Sequence, residues 1–144
     1  MLAKPSITLK RRLNAKPEQV FAAWTDAKKI VRWFGPQQTL LDTVKAELDV
    51  RTGGRFWVSF NTEDGDFHKV GGTYREIFPH TRLQFTWAWH STPERESLVT
   101  VTIREDGDGS MLTLLHEQFF DQAAAEGHER GWTGTLEKLA AEFE

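Results

Sequence analysis

A strand and the helix behind it constrain this chain more than any other feature of its sequence. In Met111–Phe120, Leu112, Leu114 and His116 recur at every second position, so an extended chain carries all three on one face. Beyond Asp121 the period lengthens: His128, Trp132, Leu136, Leu139 and Phe143 come at spacings of four and three, forming one stripe of a long terminal helix. Packing that stripe on the strand face brings two imidazoles and an indole into or beside the core. Buried polar rings need partners. The place is therefore either a costly structural arrangement or the wall of a ligand pocket.

Alternation elsewhere supplies a sheet for the helix to cover. Ser6–Leu13 alternates (Ile7, Leu9, Arg11 and Leu13 on one parity) and reads as an edge strand. Pro17 suits a helical first turn, with Val20, Phe21 and Trp24 on its apolar side. Asp26 is placed to cap a second short helix carrying Ile30, Trp33 and Phe34, which Gly35-Pro36 ends. A meander of strands comes next. Leu40–Val50 reads as extended; Phe56, Val58 and Phe60 alternate; Lys69–Phe78 runs through Gly71-Gly72, where missing side chains point to a bulge or a close backbone approach. Leu83, Phe85, Trp87 and Trp89 share one face, as do Val99, Val101 and Ile103, and Asp106–Gly109 turns into the last strand. About seven strands, two short helices after the first and one long final helix make an α+β chain, read as one domain over 1–144. A curved antiparallel sheet with one apolar face needs a cover, and a single helix cannot meet it everywhere. A cavity between sheet and helix is expected.

Composition excludes several classes of function. There are no cysteines, hence no disulfide, thiolate metal site or cysteine nucleophile. A net charge of −3 argues against nucleic acid or an anionic membrane as a charge-driven partner. The Lys10-Arg11-Arg12 cluster reads as a solvated strand edge. No apolar run approaches the roughly 18 residues of a membrane span, and the start lacks the apolar segment of a secretion signal, so a cytoplasmic address is expected. Six tryptophans and ten phenylalanines against one tyrosine can fill a core, and they also suit a pocket for flat or greasy molecules.

Several strings, in order along nearly the whole chain, resemble the START-like or SRPBCC superfamily with its helix-grip fold. They are Pro17–Asp26, Trp33–Pro36, Gly53–Phe56, Gly72–Ile77, Arg82–Trp87, Leu112–Glu117 and Gly127–Trp132. Within it, the chain is most similar to the branch related to the C-terminal domain of the heat-shock-protein-90 ATPase activator. The resemblance implies a curved antiparallel sheet gripping the C-terminal helix and a cavity for a hydrophobic or amphipathic ligand. It also admits cyclases, resistance proteins and chaperone partners among the relatives. The eukaryotic activator carries a further N-terminal domain, for which this length leaves no room, so an interaction protein resembling the chaperone-ATPase activator, with a chaperone as partner, is kept only as an alternative to ligand binding.

The residues expected to hold a small hydrophobic or aromatic ligand are Trp33, Phe56, Trp57, Tyr74, Phe85, Trp87, Trp89, His116, His128 and Trp132. Trp33-Phe34 fall where the short helices cap the cavity mouth, as gate or as plug. His116 and His128 have three readings: satisfied core histidines, polar groups orienting a ligand, or an acid–base pair of a cyclase- or hydrolase-like enzyme, with Glu76 as orienting carboxylate. Arg55, Tyr74 and Arg75 could supply a polar end, but a one-residue change of register reverses each assignment. A metal held by His90, His116 and His128 is set aside, because His90 alternates away from Trp89 and no close histidine pair exists. No cofactor and no metal are expected.

Overall fold

The structure, a computed structural model, describes residues 4–144. β1 (Ile7–Leu13) is followed by α1 (Pro17–Thr25) and α2 (Ala27–Ile30). Six strands come next: β2 (Lys45–Leu48), β3 (Arg55–Asn61), β4 (Phe67–Phe78), β5 (Arg82–Trp89), β6 (Ser97–Asp106) and β7 (Gly109–Glu117). α3 (Gln122–Ala141) ends the order. The strands form one antiparallel sheet, β1-β7-β6-β5-β4-β3-β2. The helix pair carries the chain from the β1 edge to the β2 edge, and the meander returns strand by strand until β7 pairs with β1. This is the helix-grip architecture of the α+β class.

The helices begin where local chemistry directs them. Pro17 occupies the first position of α1, where its missing N–H costs nothing. The Asp26 carboxylate accepts from the Lys28 amide at 2.9 Å, and that of Asp121 from the Ala124 amide at 2.8 Å, each satisfying an orphan donor.

Register aligns the apolar positions into rows across the concave face. Ile7, His116, Val99, Phe85 and Tyr74 are successive partners from β1 to β4, and all are buried. At Gly72 a Cβ would overlap the Thr86 carbonyl, so only glycine lets β4 approach β5 there. Two residues on, the register shifts between Tyr74 and Glu76. The bulge exchanges the faces of the residues beyond it: Ile77 turns toward Leu83, and Glu76 turns out to meet Arg82, Nε to Oε2 at 2.9 Å. Glu76 therefore does not orient a histidine, contrary to the sequence expectation.

Leu40–Val50 is less extended than its composition predicts. Leu41–Thr43 forms a 3₁₀ turn and only Lys45–Leu48 pairs with β3. The Thr43 hydroxyl explains it, donating to the Leu40 carbonyl at 2.6 Å and accepting from the Asn61 amide at 2.9 Å.

Candidate functional site

The centre of the molecule is a set of rings whose polar atoms satisfy one another. An indole N–H can only donate. Trp132 Nε1 donates to His116 Nδ1 at 3.0 Å, so the proton of that neutral imidazole sits on Nε2, which donates to Ser97 Oγ at 2.7 Å. The Ser97 hydroxyl passes the chain on to the Trp87 carbonyl at 3.3 Å. On the second imidazole, Trp87 Nε1 and Trp89 Nε1 both donate to His128 Nε2, at 3.3 and 3.0 Å. His128 Nδ1 then donates to the Ala124 carbonyl, one turn back along α3, at 2.8 Å. Three indoles on β5 and α3 are thus served by two neutral histidines whose ring centroids lie 5.1 Å apart.

Protonating either ring would remove an acceptor these indoles use. Burial pushes the His116 pKa down to about 2, with the neighbouring His128 adding to the shift. Burial also lowers that of His128, against the opposing pull of its bond to Ala124. Neither imidazole keeps a free lone pair. The Ser97–His116 pair has the spacing of a nucleophile and its base, yet the proton between them belongs to the imidazole and the far nitrogen faces an indole rather than a carboxylate. His116 cannot take the serine proton in this arrangement. The acid–base reading of the two histidines finds no support in this geometry.

The room expected between sheet and helix is largely filled by rings. Trp87 and Trp132 lie 5.1 Å apart, with Phe34 about equally distant from both at 6.0 and 6.2 Å. Two small voids persist. One of about 10 Å³ is bounded by Trp24, Phe56, Tyr74, Phe85 and Trp87, among others. Another of about 50 Å³ lies among Phe34, Phe60, Trp87, Trp89 and Trp132. A space larger than either void opens beside the second: a cleft of about 420 Å³ lined by Pro36, Gln37, Gln38, Phe60, His68, Trp89, Gly127, Arg130 and Gly131. It shares Pro36, Phe60, Trp89 and Gly131 with the second void, so the two adjoin.

Helix α3 makes the cleft by omission. Gly127, Gly131 and Gly134 fall on one stripe, four and three residues apart. At Gly134 a Cβ would press on Gln37, 2.8 Å from Cγ, and Gln37 Nε2 donates to the Gly134 carbonyl at 3.3 Å. A Cβ at Gly131 would meet nothing within 4 Å, and one at Gly127 only the Arg130 guanidinium, 3.9 Å away. The Pro36–Gln38 loop is held over α3 by Gln37 and by Lys138 Nζ, which donates to the Pro36 carbonyl at 3.2 Å.

Of the residues singled out in the sequence, Phe56, Tyr74, Phe85 and Trp87 border the inner void, Trp87, Trp89 and Trp132 the second, and Trp89 the cleft. Trp57 does not join them. It points to the opposite face from Phe56 and Val58, under the Lys69 ammonium at 4.5 Å, with its Nε1 donating to Glu47 at 3.3 Å. Arg55 and Arg75 are exposed, Arg55 on that same outer face and Arg75 at the bulge. Trp33 is neither gate nor lining: it is buried against Trp24, its Nε1 donating to the Ala23 carbonyl at 3.2 Å. His116 and His128 stand behind the indoles rather than in the openings. Phe60, His68, Arg130 and the glycine stripe were missed. Three glycines in one helix, each costing up to about 1 kcal/mol relative to alanine, were the available signal.

Comparison with known proteins agrees with this architecture. The family model of the activator of Hsp90 ATPase homolog 1-like proteins matches residues 14–144. A Chromobacterium violaceum protein is similar in structure with a TM-score of 0.82 and 28% identity, over 97% of this chain and 98% of its own. The AHSA1 protein of Silicibacter pomeroyi stands at 0.80 and 29%, over 96% of both chains. A Rhizobium loti protein is similar at 0.78 and 31%, again over 96% of both. No curated protein matches the chain. Among the described residues no helix is long and apolar enough to cross a membrane. With its curved sheet closed over one long helix, the fold type of ligand-binding SRPBCC domains, this chain belongs to the activator of Hsp90 ATPase homolog 1-like protein family.

Proposed function

We propose that the protein binds a small hydrophobic or aromatic molecule that enters through this cleft and stacks between β5 and the glycine stripe of α3. The observation that carries this reading is the cleft itself, whose volume of about 420 Å³ falls within the range of roughly 300–1,000 Å³ usual for such sites. Trp89, half-buried, offers a face for a flat ligand, Phe60 is buried beneath His68, and Trp87 and Trp132 wall the void behind them. Phe56, Tyr74 and Phe85 border a further void that can enlarge only if these rings move. His116 and His128 contribute indirectly, by fixing the indoles that form the wall. Desolvation of ring faces supplies the affinity.

The test is a titration of the folded protein with flat, uncharged bicyclic amides and ketones, followed by tryptophan emission. A saturable change in wild type that disappears in Gly131→Leu, whose side chain would occupy the cleft, is the expected result. No saturable response to any of them, or one that Gly131→Leu leaves intact, sinks the reading.

A further inference from the structure

Resting on the binding reading above, we infer that the ligand is an aromatic carboxylate, its ring on Trp89 and its carboxylate on the Arg130 guanidinium. The lining of the cleft is asymmetric in charge. Arg130 is its one formally charged residue, and no carboxylate lines it. Among the described residues, ion pairs engage Arg12, Arg32, Arg51 and Arg82, and Arg130 is in none of them. Its guanidinium instead reaches back toward Gly127, 3.9 Å from where a Cβ would stand. This leaves the planar fork of N–H donors at the rim of an aromatic surface, the geometry that matches a carboxylate in two parallel hydrogen bonds.

The neighbouring acids do not cancel that charge. Glu137 accepts from Gln37 Nε2 at 3.2 Å and is not among the lining residues. Asp64 is bound by the Thr62 hydroxyl at 2.6 Å and by the Asp66 amide at 3.0 Å, within its own turn. Both Asp64 and Asp66 lie beyond His68, outside the lining. His68 is stacked on Phe60 at 5.2 Å and shares Thr62 Oγ1 at 3.0 Å, so it extends the aromatic surface. Deeper in, the walls contain only rings, glycine, proline and one threonine. A charged group has a partner in the cleft and none inside, which sets the ligand's orientation: ring inward, carboxylate outward.

The experiment compares naphthalene carboxylate with its uncharged amide on wild type, Arg130→Gln and Arg130→Glu, by tryptophan emission or calorimetry. Wild type is expected to prefer the carboxylate by about tenfold or more, the lower end for hydrogen bonds to a charged group. Arg130→Gln should abolish that preference while holding the amide within about twofold, and Arg130→Glu should reverse it. Equal binding of the two probes to wild type, or a preference that survives Arg130→Gln, overturns the carboxylate assignment and leaves the pocket reading standing. Failure of both probes overturns the two together. Arg130 is exposed and in no ion pair, so its variants should fold as wild type does, which circular dichroism checks.

Discussion

Two tryptophans of similar burial isolate what the ring network contributes. Trp132 and Trp24 are 4% and 2% exposed, yet Trp132 Nε1 has an acceptor in His116 and Trp24 Nε1 has none. Replacing either by phenylalanine removes ring contacts. Only Trp132→Phe also strands a buried acceptor, a penalty of about 1–3 kcal/mol, whereas Trp24→Phe removes a donor that already lacks a partner. Trp132→Phe should therefore cost at least about 1 kcal/mol more in urea denaturation, and equal costs would show that the indole–imidazole bond adds nothing. The histidines were legible as residues that meet the helix and strand faces. Their tautomers were not, because these depend on which indole each nitrogen meets, and each donor comes from a different element, α3 for His116 and β5 for His128.

Among the elements, α3 carries a contradiction that serves the site. Its glycines weaken a helix that its apolar stripe otherwise favours. Since a Cβ at Gly131 meets nothing, Gly131→Leu should raise stability by roughly 0.5–1 kcal/mol, seen as a higher Tm, while it closes the cleft. A lower Tm would mean that the space is not open. Strand β4 shows the opposite limit of sequence reading. Alternation located it, but one extra residue at Arg75 exchanges the faces after it, sending Glu76 outward to Arg82. Trp57 went astray for a related reason: ring content placed it with the pocket, though its own parity, opposite Phe56 and Val58, put it on the outer face.

For the molecule as a whole, the buried histidines couple stability to pH. The His116 pKa falls from 6.5 in the unfolded chain to about 2 in the fold, so between those values only the unfolded state binds the proton. Stability is then complete above pH 6.5 and declines as pH drops below it, by about 1.4 kcal/mol per pH unit for each such histidine. Unfolding free energies from urea denaturation at about pH 7 and about pH 5 should differ by about 2 kcal/mol from His116 alone, with His128 adding in the same direction. A flat profile across that window would show that the rings accept protons without disturbing the fold.

Periodicity of two along the strands and of 3.6 along the helices determined the elements, their order and most of the buried face, because those patterns are local and each residue carries its own share of them. Proline and aspartate set the helix starts for the same reason. Where empty space lies, which lone pairs are free and which cation has no partner depend on distances between segments far apart in the chain. The cleft at Gly131, the occupied nitrogens of His116 and His128 and the Arg130 guanidinium, in no ion pair among the described residues, were settled only when the sheet closed over α3.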